Sequence, residues 1–191
     1  MLTTMVVADL RTSRMSDELK TAVRVVSSDL RSVRARAIGG ENVKTCTSGS
    51  TKAVAEQGTT LCTDQTSLGY SIPSAVGMVM ATGSTYELFV DVDPAPLYAN
   101  GLKNGAVELL FIRDLGLSGT PNVVIDQITE NGIAMTPVTL AYRRQSGTMM
   151  LDGAMSSSAP KIVVITLRQT QSNETRTITI DQWSGQLKTQ L

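Results

Sequence analysis

The sequence of 191 residues contains no histidine. This absence excludes serine–histidine and cysteine–histidine catalysis, zinc sites with imidazole ligands, and charge switching by imidazole near neutral pH. Basic and acidic residues number 17 each, which argues against an overall electrostatic attraction to nucleic acid. Only seven aromatic residues occur, too few for the basic and aromatic pattern that binds single strands. These absences favour a structural or binding protein over an enzyme.

The chain also lacks a run of about 18 apolar residues, so the sequence as printed predicts no membrane-spanning helix. Its first forty residues instead carry the pattern of a long soluble helix. Neither glycine nor proline occurs between Thr3 and Ile38, and Gly39-Gly40 provides a helix end. Ser16 could cap a second helix, so the pattern predicts either one helix or two. A stripe suited to packing on a sheet recurs at helical spacing, at Leu19, Val23, Val26, Leu30 and Val33.

Basic residues outnumber acidic ones along this helix. They are Arg11, Arg14, Lys20, Arg24, Arg31, Arg34 and Arg36. A solvated helix face explains such a pattern, and a contact with another protein or with an anionic surface is the alternative.

After Gly40 the sequence changes to short apolar runs between turn residues. Eight strands are predicted, at Val76–Met80, Tyr86–Val92, Val107–Ile112, Val123–Ile128, Val138–Arg143, Ile162–Leu167, Thr175–Ile180 and Gln186–Thr189. A turn at residues 181–185 predicts a terminal hairpin. The expected fold is α+β, with a long N-terminal helix (residues 1–40) packed on an antiparallel β-sheet domain (residues 41–191). Within the helix, residues 17–38 are expected to pack on the sheet and residues 1–16 to project beyond it.

The two cysteines, Cys46 and Cys62, enclose a loop rich in serine, threonine and glycine. A disulfide between them would stabilise the fold by about 3 kcal/mol through loop entropy. Two thiols without histidine do not complete a zinc site, and two free buried thiols are the other alternative. The disulfide is favoured, and it implies an oxidising, extracytoplasmic compartment.

Carboxylates offer the only other candidate chemistry. Asp91 and Asp93 begin like a calcium loop, but Pro94-Ala95-Pro96 supplies neither the third ligand nor the glycine that such a loop requires. Asp126, Asp152 and Asp181 each follow an apolar strand, where aspartate commonly begins a turn. An enzyme would need these three to converge in one cleft. We therefore predict no catalytic, cofactor or metal site.

The ordered combination resembles the type IV pilins and type II secretion pseudopilins, in particular the H-type minor pseudopilins. The resemblance is carried by Glu18–Ile38 with the following Gly39-Gly40 and Asn42-Val43, by Tyr86–Asp93, and by Ile178–Leu187. Members of this family carry a leader and a very hydrophobic N-terminal segment. Met1–Ala8 is similar only to the end of that segment. We therefore expect the natural chain to begin upstream and to reach the inner membrane through that part.

The resemblance implies a structural subunit that assembles with other pilin-like subunits in a filament, at the cell surface or in the periplasm, without a cofactor. It further implies that the projecting helix half meets neighbouring helices. The residues expected at that interface are Leu2, Met5, Val6 and Leu10. An extracellular binding or adhesion module is the alternative, with the loops Cys46–Cys62 and Asp91–Asn104 as its recognition surface.

Overall fold

The computed structural model describes residues 2–48, 51–55, 68–92, 102–103, 108–116, 122–155 and 161–190, with helix side chains from Ser13 onward. Over these ranges the chain forms one helix, α1 (Leu2–Gly39), and fourteen strands. The strands are β1 (Val43–Ser48), β2 (Thr51–Val54), β3 (Leu68–Ser71), β4 (Ala75–Met80), β5 (Thr85–Asp91), β6 (Leu109–Asp114), β7 (Val123–Glu130), β8 (Ile133–Ala134), β9 (Val138–Arg143), β10 (Met149–Leu151), β11 (Ala154–Met155), β12 (Ile162–Gln169), β13 (Thr175–Asp181) and β14 (Leu187–Thr189).

The N-terminal helix is continuous, so Ser16 does not begin a second helix. At its end, Gly40 has a φ of 62°, and its N–H donates to the Arg36 carbonyl oxygen at 3.1 Å. Glycine takes this left-handed conformation without steric penalty, which is why the helix ends at the glycine pair. Two hydrogen bonds from the Arg36 guanidinium to Glu41, of 2.6 and 3.1 Å, close the turn and lower the pKa of the Glu41 carboxyl.

The strands form three antiparallel sheets. The three-stranded sheet has the order β2-β1-β3, the six-stranded sheet β11-β10-β9-β4-β5-β6, and the five-stranded sheet β14-β13-β12-β7-β8. Each of the eight predicted strands corresponds to a strand of the structure within a few residues. The predicted terminal hairpin is also confirmed, since β13 and β14 pair across the turn at residues 182–186.

The predicted pilin-like architecture, a long helix on one antiparallel sheet, is wrong. Strands dominate the chain, and α1 packs against β4 and β9 of the six-stranded sheet as well as β7, β12, β13 and β14 of the five-stranded sheet. The three-stranded sheet was not predicted, because β1 and β2 consist mainly of threonine, serine and lysine and show no hydrophobic alternation. Strands β8, β10 and β11 have only two or three residues each, too few for any periodic signal.

A continuous hydrophobic core joins α1 to the two larger sheets. The helix residues predicted to pack on a sheet all belong to it and are fully buried, namely Leu19, Val23, Val26, Leu30 and Val33. Burial of each such side chain stabilises the fold by about 1.5–3 kcal/mol. A second cluster, which includes Phe89 and Ala141, covers the other face of the six-stranded sheet. There Gly77 leaves room for the Phe89 ring, because a Cβ at this position would lie 2.5 Å from Phe89 Cε1.

Candidate functional site: the N-terminal helix and its surfaces

A charged cluster fixes α1 to the six-stranded sheet. Asp29 of α1 accepts a hydrogen bond from the Tyr86 hydroxyl (2.7 Å) and two from the Arg113 guanidinium (3.0 and 3.3 Å). Burial, together with the Asp29 carboxylate, raises the pKa of Tyr86, and the hydrogen bond to Asp29 raises the pKa of Arg113. The Arg113 guanidinium also lies 5.0 Å from the centre of the Phe111 ring. One helix carboxylate therefore holds both β5 and β6.

Separate contacts fix α1 to the five-stranded sheet. Arg34 donates from Nη1 to the Gly185 carbonyl oxygen at 3.0 Å, in the turn between β13 and β14. Gly185 has a φ of 61°, and a Cβ there would lie 2.9 Å from the Arg34 guanidinium carbon. Near the other end of the packed section, the Ser16 hydroxyl lies 3.4 Å from a carboxylate oxygen of Glu174. These contacts attach the helix to its body from Ser16 to Arg34.

The residues predicted to meet neighbouring molecules all belong to the N-terminal part of the helical backbone, and they are Leu2, Met5, Val6 and Leu10. Their side chains lie outside the described part of the chain. The helix runs from Leu2 to Ser16 before the first described contact with the body, a rise of about 21 Å at 1.5 Å per residue. The role of these four residues stays a prediction.

Apart from Arg34, which donates to the Gly185 carbonyl oxygen, the described basic residues of α1 form two groups. Arg14, Lys20 and Arg36 pair with carboxylates of Glu18, Asp17 and Glu41, which is typical of a solvated helix face. Arg24 and Arg31, in contrast, are exposed and make no hydrogen bond or ion pair with any described residue. The side chain of Arg11 lies outside the described residues. The two unpaired arginines lie on the side of the helix that faces β14.

Two neighbouring pockets lie between α1 and β14, and Arg31 lines both of them; together they are called the groove. The larger part, of about 340 Å³, lies beside Arg34, Ile38 and Leu187. The smaller part, of about 220 Å³, lies beside Arg24, Ser27 and Thr189. The groove combines an apolar floor with basic side chains, and it is the candidate binding surface of the described chain.

The three strand-end aspartates do not converge. Asp126 is exposed on β7 and pairs with Arg168 at 2.7 Å. Asp181 lies at the end of β13. Both aspartates neighbour β12, where their positions are about four residues, or 13 Å, apart. Asp181 accepts hydrogen bonds from the backbone N–H groups of its own turn. Asp152 follows β10 in a different sheet, where it accepts the Thr139 N–H at 2.7 Å. Each aspartate therefore orders a local contact, and the three do not form an acid–base pair.

The remaining sequence candidates lie partly outside the described residues. Cys46 is fully buried in β1 and is disulfide-bonded, whereas Cys62, its predicted partner and the only other cysteine of the chain, is outside them. Asp91 is fully buried at the end of β5, and Asp93 is outside the described residues. The same holds for most of the two loops predicted as a recognition surface. Over the described ranges, no group of three potential metal-ligating side chains occurs.

Sequence reasoning missed two features of this site. The first is the cluster of Asp29, Tyr86 and Arg113, which joins residues 57 and 84 positions apart and leaves no local pattern. The second is Ser27, which does leave a signal. It lies four residues after Val23, three before Leu30 and next to Val26, so one hydroxyl adjoins the apolar stripe of the helix.

No described helix has the length and apolar character needed to cross a membrane. Comparison with protein-family models, with curated proteins and with solved structures finds no match for this chain.

Proposed function

We propose that this chain is a structural subunit of a type IV pilus or of a type II secretion pseudopilus-like filament, and that it assembles with other pilin-like subunits through the N-terminal part of α1. One observation carries the proposal. The helix has 38 residues, whereas its buried stripe begins only at Leu19. The section before that stripe carries Leu2, Val6 and Leu10 at spacings of four residues, which is the pattern of a helix that buries one face.

The attachments of α1 support this role. A subunit that assembles through a helix must hold that helix rigidly against its globular body, and α1 is fixed to two sheets by Asp29 and Arg34 in addition to its apolar stripe. The globular part has three sheets and not the predicted single sheet. The proposed assembly contact does not depend on the number of sheets, because it uses the helix section before the buried stripe. The disulfide at Cys46 supports an oxidising compartment, so we place the subunit at the cell surface or in the periplasm.

The test compares two substitutions of valine by aspartate in the 191-residue chain. Val6→Asp charges the proposed assembly face, and Val26→Asp places a carboxylate in the fully buried stripe. We expect Val6→Asp to abolish concentration-dependent self-association in sedimentation velocity while leaving the melting temperature unchanged. We expect Val26→Asp to unfold the chain, because an unpaired buried carboxylate costs several kcal/mol.

Thr4→Asp is the matched control, because a two-residue step of 200° places it across the helix from Val6. It should associate like the wild-type chain. The proposal is wrong if the wild-type chain stays monomeric at every concentration, if Val6→Asp associates normally, or if Val6→Asp and Val26→Asp lower stability equally.

A further inference from the structure

The groove beside α1 is bordered by an open sheet edge. Strand β14 is the first strand of the five-stranded sheet and pairs only with β13 among the described residues. Two residues beside β14 bond to β13 through their backbone. The Asp181 N–H donates to the Gln186 carbonyl oxygen at 3.1 Å, and the Gln190 N–H donates to the Thr177 carbonyl oxygen at 3.1 Å. Because inward and outward groups alternate along an antiparallel strand, the N–H and C=O groups of the intervening Leu187 and Thr189 point away from β13. These groups can pair with a further strand.

The side chains around this edge define the chemistry of what could pair there. Leu187 and Thr189 line the groove on one side, and Arg24 and Arg31 of α1 line it on the other. Neither arginine has a carboxylate partner in the described part of the chain. A guanidinium has several N–H donors arranged to bind both oxygens of a carboxylate, so an acidic side chain complements the side of the groove lined by Arg24 and Arg31.

A buried hydroxyl in the same groove also has no hydrogen-bond partner among the described residues. Ser27 is 3% exposed, and its Oγ makes no hydrogen bond with any of them. It lies three residues after Arg24 and four before Arg31, so the three side chains share one face of α1. A hydroxyl can donate to a carboxylate, and an occupant that supplied one would satisfy this group.

The size of the groove fits a short extended segment. Along α1 the lining runs from Val23 to Ile38, a rise of about 22 Å. A strand covers that length with about seven residues. The side chains of a bound segment would point alternately to Arg24 and Arg31 and to solvent. Its backbone would form hydrogen bonds with Leu187 and Thr189. A nucleic acid or a free anion offers the charge but not the backbone groups.

We propose that the groove between α1 and β14 binds an extended acidic segment of a partner protein, which adds to the five-stranded sheet as a further strand. This contact is separate from the N-terminal helix section, so it stands or falls independently of filament assembly.

The test uses a fluorescent peptide of about eight alternating glutamate and valine residues, with a lysine–valine peptide of the same length as its counterpart. We expect the acidic peptide to bind the 191-residue chain, to lose about tenfold or more in affinity in the Arg24→Gln, Arg31→Gln double variant, and to bind more weakly as salt rises. Backbone amides of Leu187 and Thr189 should become protected from hydrogen exchange when it binds.

Two variants of β14 separate strand addition from charge attraction. Thr189→Pro removes an outward N–H that β13 does not use, so it should abolish peptide binding without unpairing the hairpin. Lys188→Gln removes a charge from the opposite, exposed face of the same strand and should bind like the wild-type chain. The proposal is overturned if the acidic peptide does not bind, if the arginine variant binds it equally well, or if inorganic phosphate competes fully and the two amides stay unprotected.

Discussion

The cluster of Asp29, Tyr86 and Arg113, which joins α1 to β5 and β6, predicts that Tyr86→Phe destabilises the fold. Phenylalanine keeps the ring, which is 1% exposed, and removes only the hydroxyl that donates to Asp29 at 2.7 Å. Only one oxygen atom is removed, so the loss is mainly that of one hydrogen bond to a charged acceptor, about 1.5–3 kcal/mol. In a chain of this size each kcal/mol lowers the melting temperature by about 2–4 °C. Urea unfolding should therefore show a lower midpoint with an unchanged slope.

The pH dependence of this difference provides the stricter test. Burial and the Asp29 carboxylate raise the pKa of Tyr86 above the ordinary value, so the folded chain keeps this proton while an unfolded tyrosine releases it above about pH 10. The stabilisation due to Tyr86 is therefore full below pH 10 and is lost above it, by about 1.4 kcal/mol per pH unit. Tyr142, whose pKa burial also raises, is present in both chains and cancels.

The stability difference between the wild-type chain and Tyr86→Phe should accordingly shrink between pH 10 and pH 11. A difference below about 0.5 kcal/mol at pH 7, or one that stays constant to pH 11, would refute this account of the cluster. Arg113→Gln is a useful companion, because it removes the other donor to Asp29 from a half-buried position. If the two donors share one carboxylate as the structure describes, their effects should not be additive.

Two further predictions concern the sheets. Gly77→Ala should destabilise the fold by about 1–3 kcal/mol, because its Cβ would lie 2.5 Å from Phe89. The control is Gly69→Ala in β3, whose Cβ meets open space, and it should change stability by less than about 0.5 kcal/mol. The midpoints of urea unfolding compare the two variants. Hydrogen bonds from Ser184 and a neighbouring N–H lower the pKa of Asp181, so its contribution is present above an unfolded pKa of about 3.9 and lost below it. Asp181→Asn should thus lower the melting temperature at pH 7, and this difference should shrink as the pH falls below about 3.9; a difference that stays constant as the pH falls would contradict this assignment.

The sequence predicted the elements with strong periodic signals. The stripe from Leu19 to Val33 and the glycine pair were enough to predict the packed helix and its end, since both signals are local. The strands that carry apolar runs, such as Val138–Arg143, were found for the same reason. The number of sheets could not be predicted, because pairing between β1 and β3 or between β4 and β9 joins distant segments whose match is settled by tertiary packing.

The candidate site was predictable only in part. The excess of arginine on α1 was visible, and one of its two interpretations was a contact with another protein. What the sequence could not tell is which arginines are already paired, since that depends on whether a carboxylate lies nearby, as Glu18 does for Arg14. The open edge of β14 was equally invisible, because a strand at an edge and a strand inside a sheet have the same pattern.

The attachments of α1 also constrain the order in which the chain can fold. Ser16 contacts Glu174 across 158 residues, and Arg34 contacts Gly185 across 151. During synthesis, the helix leaves the ribosome long before its partners in β13 and in the last hairpin exist. Its apolar stripe must therefore remain uncovered, or be shielded by another protein, until those strands arrive. Folding should be slow for a chain of this length, with the terminal hairpin as the step that completes it.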